Sequence, residues 1–155
     1  MRWPGVTRAG RVSDALVSQI DLMATLASVV RHDLPADAAE DSHDLLPLLK
    51  GEAESVRSTH VHNTNANGYA IRHGDWVLID AKDGYVSARN AAWEARRGYL
   101  PDNQAPVELY NLKTDLAQKH DVAAAHPEKV AELQALLRKI REQGHSAPRL
   151  STAGR

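Results

Sequence analysis

The stretch THVHN sets His60 and His62 two residues apart, followed by Asn63. On an extended strand that spacing turns both imidazoles to one side, where they could share a metal ion or close on one anion. A metal needs a third or fourth ligand, and the spacing dictates no nearby His or carboxylate. A polar pocket contact and ordinary surface histidines are the other readings of the pair. A second cluster, Arg72, His73, Asp75 and Trp76, lies within YAIRHGDWVLIDAKDGY. An arginine there could offer its planar fork to sulfate, phosphate or carboxylate. The alternative is a hairpin in which Gly74 makes the turn, Asp75 pairs with backbone or Arg72, and Trp76 packs on the last helix. That alternative is the commoner use of such residues.

Other charged groups have plainer readings. Asp21, Asp33, Asp37, Glu40, Asp41 and Asp44 form an acidic stretch, but the alternation of oxygens that a calcium loop needs is missing. They read as solvated loop charge, except that Ser18 or Asp21 can also cap a helix. Arg89, Arg96 and Arg97 read as a solvated basic loop. The dinucleotide-binding glycine pattern, the P-loop and the nucleophile elbow do not occur. With no cysteine, the chain has no disulfide, no thiolate zinc site and no thiol nucleophile.

These residues need elements to hold them. The 155 residues suit a modest core, and the 43% hydrophobic and 25% charged content is ordinary for a soluble globular chain. A net charge of -1 gives no electrostatic footprint for nucleic acid or a membrane surface. The longest apolar run, about Leu22 to Val30, is too short to span a bilayer, and MRWPGVTRAG has no apolar core of a signal peptide. Phenylalanine is absent, so the core must come from Leu, Val, Ile and Ala with a few placed aromatics.

Pro4 and Gly5 break regular structure, as if a strand ended there with nothing before it; the expectation is that the chain begins inside a larger unit. Leu22, Leu26, Val29 and Val30 at helical spacing predict a helix over 20–31, with Pro35 beyond its end. Leu45 to Leu49 make a short apolar turn stopped by Gly51. Val61, Ala70, Ile71, Val77, Leu78 and Ile79, set between Asn and Gly turns, predict an antiparallel meander, and VELYNL adds a strand. KDGYVSARNAAWEARRGYLPDNQAP reads as a surface excursion. Pro127 at the first helical position, Glu128, the stripe Val130, Leu133, Leu137 and Ile140, and Gly144 beyond the end predict a helix over 127–143. The fold class is therefore α+β: a small antiparallel sheet from about 57 to 112 packed on a C-terminal helix.

RWPG, SQIDLMATLA, DSHDLLPLLKG, IRHGDWVLI, ELYNLKTD and AAAHPEKVAELQALL occur in that order along nearly the whole chain. Together they resemble the C-terminal part of a sulfatase, of the arylsulfatase and glycosaminoglycan sulfatase family with its alkaline-phosphatase-like fold. Departures are Val77, where the family often has Lys, and Asp115-Leu116 with Gln118, where it favours Asp-Pro and Glu.

The resemblance implies that 1–52 is the tail end of the larger α/β catalytic domain, 53–145 the C-terminal sheet-and-helix subdomain, and 146–155 a tail. It implies a sulfuric ester hydrolase using calcium and a formylglycine made from Cys or Ser, acting on a sulfated small molecule or polysaccharide. The family's nucleophile, metal carboxylates and catalytic Lys and His lie upstream of RWPG, so no catalytic residue and no metal ligand carries over. SAPRL, Ser146 to Leu150, misses the formylglycine motif because Arg149 arrives one position early. The expectation is a fragment inactive alone, whose partner is the missing N-terminal domain, with no nucleic acid and no membrane. His60, His62 and Asn63 are the candidate substrate contacts. Many bacterial members are exported, but the destination of this chain is not legible. Separated from the larger domain, helix 20–31 would expose Leu22, Leu26 and Val30 and favour aggregation or dimerisation. The rival reading is a free-standing, non-catalytic α+β module that binds an anionic sugar or a protein partner.

Overall fold

The computed structural model describes residues 2–35, 37–63, 68–81, 92, 95–96 and 105–148. Most of the expected surface excursion, with Arg89 and Arg97, lies outside the described residues. Two compact units divide the chain: Met1–His60 with Ile140–Arg155, and Val61–Lys139.

A four-stranded sheet in the order β1-β2-β3-β4 falls in the second unit except for Thr59 and His60, the first two residues of β1. Its strands are β1 (Thr59–Asn63), β2 (Tyr69–His73), β3 (Trp76–Asp80) and β4 (Glu108–Asn111). The expected meander and the VELYNL strand are both present. Gly74, at φ 58, opens the two-residue connection between His73 and Trp76. A glycine with positive φ at the first turn position gives the hairpin the twist of its strands. The antiparallel register pairs Ile71 with Leu78 and Leu78 with Leu109. These three form one row across the sheet, and all three are fully buried.

Helix α3 (Pro127–Gln143) begins and ends as its sequence predicts. Gly144 takes φ 73 just past the end, and its amide donates to Ile140 O at 3.0 Å. Leu133 and Leu137 of its apolar stripe are buried. Trp76 shares a sheet face with Leu78, and its ring meets His126 edge-on at 5.3 Å between centroids. Lys129 Nζ lies 6.0 Å from the same ring. The first turn of α3 therefore lies on the face that carries the buried row.

In the first unit, a 3-10 turn (Gln19–Asp21) leads into α1 (Leu22–Val30), and α2 (Leu46–Lys50) follows. The expected helix over 20–31 is thus present, with a 3-10 first turn that runs directly into α1 and in which the Asp21 carboxylate is engaged twice. Its Oδ2 accepts from the Ser18 amide at 2.8 Å and its Oδ1 from the His43 amide at 3.0 Å. Gly51, at φ 84, ends α2.

Candidate functional site

His60, His62 and Asn63 all stand on β1. His60 is half-buried, while His62 and Asn63 are exposed. The two-residue period gives the histidines the same side of the strand. Among the described residues, no group of three His, Asp or Glu side chains is arranged to hold a metal ion. With no cysteine, the chain holds no precursor of a formylglycine made from Cys.

The residue that sets the start of β1 is Arg57. It is only 4% exposed. Its Nε donates to Thr59 O at 3.0 Å, and Nη1 donates to Asp21 Oδ1 at 2.7 Å. Both side chains of this pair are fully sequestered from solvent. That corrects the expectation for Asp21: it is not solvated loop charge but the buried anchor of its unit. Burying a carboxylate is costly unless it is paired and its lone pairs are filled. Here one guanidinium and two backbone amides fill them. The Arg57 Nη2 is buried with no hydrogen-bond partner among the described residues.

Further polar bonds tie α1 to the loop after it. Thr25 Oγ1 donates to Asp21 O at 2.6 Å and accepts from the Leu45 amide at 2.9 Å. Ser42 Oγ accepts from the Ala24 amide, and Ser28 Oγ donates to Asp44 Oδ2 at 2.6 Å. A cleft of about 550 Å³ opens beside this lattice, lined among others by Ala27, Ser28, Arg31, His32, His43 and Asp44. His43 Nδ1 lies 3.0 Å from Val56 O, which makes Nδ1 the protonated nitrogen of the neutral ring. Burial, then the positive charge of Arg57, hold the His43 pKa below its ordinary 6.5.

The hairpin cluster is a turn. Arg72 Nε donates to Gly74 O at 3.0 Å, and Trp76 sits against His126. Asp75 offers its backbone carbonyl to the Leu112 amide at 2.7 Å. Reading the sequence for ligand spacing missed Arg57, because its partner lies 36 positions away. The available signal was an acidic residue at the start of an otherwise uncharged helix, where a cap explained it too readily.

No protein-family model matches the chain. It is 35% identical over 141 residues to an N-acetylgalactosamine-6-O-sulfatase of Bacteroides thetaiotaomicron, which covers 91% of this chain and 26% of the relative. Arylsulfatase K of Gallus gallus is 28% identical over 149 residues, covering 88% of this chain and 24% of the relative. A solved Bacteroides thetaiotaomicron structure, described with the metabolism of multiple glycosaminoglycans, superimposes with a TM-score of 0.66 at 35% identity. That match covers 84% of this chain and 26% of the solved one. The chain thus spans about a quarter of the length of the relatives it matches.

Proposed function

Since the chain is a homologue of the sulfatases, we propose that it is the C-terminal part of a sulfuric ester hydrolase that acts on a sulfated sugar. In this reading 1–52 closes the catalytic α/β domain, 53–145 forms the sheet-and-helix subdomain, and 146–155 is a tail. The observation that carries it is the extent of the match: nearly the whole chain aligns with a quarter of a relative named for a sulfated amino sugar. The chain contributes scaffold, and the nucleophile and the calcium ligands belong to the rest of the protein. His60, His62 and Asn63 touch the substrate from β1, where Arg57 fixes the strand entry through Thr59. Imidazole N–H and amide groups suit that task, because they donate hydrogen bonds to sugar hydroxyls and sulfate oxygens.

A chimera tests this. The chain replaces the matching segment of the Bacteroides thetaiotaomicron sulfatase, and hydrolysis of N-acetylgalactosamine 6-sulfate is assayed. Expected is a folded chimera that turns over substrate, while the chain alone turns over none. In the chimera, His62→Ala lowers kcat/KM by roughly tenfold, the worth of one lost polar contact to substrate at about 1.4 kcal/mol. An unchanged kcat/KM removes His62 from the pocket. Turnover by the chain alone removes the division of labour altogether. A chimera that never folds, beside a chain that binds a sulfated sugar alone, favours a free-standing binding module.

A further inference from the structure

The cleft beside α1 is built by one unit alone. Its walls are α1, the loop that follows it, Val56, and the segment Ala147–Pro148. Helical spacing sets Ala24, Ala27 and Arg31 on the side of α1 away from Leu22 and Leu26, so the cleft and the outward leucines are separate surfaces. The last wall is pinned in place. Asp41 Oδ1 accepts from the Ser146 amide at 2.7 Å and from Ser146 Oγ at 2.6 Å, and the Ala147 amide donates to Glu40 O at 3.1 Å. The volume of about 550 Å³ falls in the range of small-molecule sites, roughly 300–1,000 Å³.

Two observations mark the cleft as more than a gap. The first is strain. Among the described residues, Arg31 (φ 56) and Ala39 (φ 57) hold a left-handed backbone without being glycine, and both line the cleft. Arg31 stands just past the end of α1, where glycine adopts this conformation at no cost. Strain of this kind gathers at ligand clamps. The second is the balance of polar groups. Asp44 is filled by Ser28 Oγ and the Leu46 amide, and Asp33 is engaged as well. The Arg31 guanidinium and the Glu40 carboxylate take no partner among the described residues. His43 gives Nδ1 to Val56 O, which leaves its Nε2 an acceptor. One cation and two acceptors thus remain on a cleft lined otherwise by aliphatic groups such as Ala24, Leu34 and Val56. A sulfated sugar suits this poorly: its anion meets Glu40 and Asp44, and an aliphatic lining leaves its hydroxyls unsatisfied.

We propose that this cleft binds a zwitterion with an aliphatic body, of the amino-acid or dipeptide class. Arg31 takes the carboxylate through its planar fork, and Glu40 and His43 Nε2 take the ammonium. Every residue used belongs to the unit that builds the cleft, so the site stands whether or not the sulfatase reading does. The test titrates leucyl-leucine into the 155-residue chain by calorimetry. N-acetyl-leucyl-leucine and leucyl-leucinamide serve as probes that each lack one charge. Expected is saturable binding of the zwitterion, weakened about tenfold in either blocked form. Arg31→Gly should lose about tenfold in affinity while its urea midpoint holds or rises, because glycine relieves the positive φ. An arginine with only a structural role would lower the midpoint on removal and leave the affinity alone, which overturns the assignment. Ala39→Gly relieves the same strain without removing a charge and should keep the affinity. Equal binding of all three probes sinks the zwitterion. If galactosamine 6-sulfate binds more tightly than the dipeptide and loses that affinity in Arg31→Gly, the cleft serves a sulfated sugar and the proposal is overturned. The titrations are repeated in the chimera, and no saturable binding in either protein overturns it too.

Discussion

The two units solve the problem of an interior in opposite ways. The sheet unit buries Ile71, Leu78, Leu109, Leu133 and Leu137 almost completely. Among the described residues of the unit that holds α1, the side chains of Asp21 and Arg57 are fully buried, while Leu22, Met23, Leu26 and Val30 face out. Leu45 and Leu48 give that unit some apolar interior, but its organising contact is the ion pair with Arg57. The contrast separates an apolar interior from one organised around a buried ion pair.

The sharpest way to break the contrast is to remove the ion pair. Asp21→Ala leaves Arg57 buried and unpaired, and uncompensated buried charge costs about 3–5 kcal/mol. Hydrogen exchange read by segment should show 18–31 deprotected while 69–80 keeps its protection. Equal loss in both segments would mean that the two units unfold as one, and the contrast would lose its meaning. Asp21→Leu with Arg57→Met sharpens the point: an apolar pair of similar bulk should recover most of the loss.

Leu78→Ala probes the other unit. It truncates the middle of the Ile71–Leu78–Leu109 row, and a buried leucine cut to alanine costs about 3 kcal/mol through lost transfer energy and the cavity left behind. Here the deprotected segment should be 69–80. A loss well under about 1 kcal/mol would show that the row collapses around the gap and packs less tightly than its burial indicates.

How much of this was legible follows from how local each determinant is. The stripe of α3 and its Pro127 start are set within seventeen residues, with the Gly144 stop next after them, and the alternation around Gly74 within about ten. Period and turn chemistry suffice for both. Asp21 and Arg57 find each other across 36 positions, and no local rule marks either as buried. Composition pointed the wrong way, since a carboxylate in an acidic stretch is normally solvated. The apolar stripe of α1 was legible as a stripe, and its exposure was expected only once the family resemblance supplied a missing neighbour. For the candidate site, strand parity places His60 and His62 on one side of β1. Substrate contacts depend on the shape of a cleft, which no periodicity encodes.

The smallest effect concerns His43 and works through pH. The folded protein holds its imidazole neutral, chiefly by burial and next by the Arg57 charge, whereas the unfolded chain protonates it around the ordinary 6.5. The unfolded state therefore binds more protons as pH falls through that value, and folding stability falls with it. The loss deepens until the pH drops below the lowered folded pKa, where both states are protonated and no further loss arises from this group. His43→Asn removes the titrating ring while leaving an amide donor within reach of Val56 O. Urea midpoints at pH 7.5 and pH 5.5 should differ less in the variant than in the wild type, with the change confined to segment 18–31. A variant that keeps the full wild-type dependence would assign the acid sensitivity to another histidine. If that sensitivity mapped to 69–80, it would belong to the sheet unit. The charged interior beside α1 would then be no more sensitive to protons than the apolar one, and the distinction between the two units would rest on packing alone.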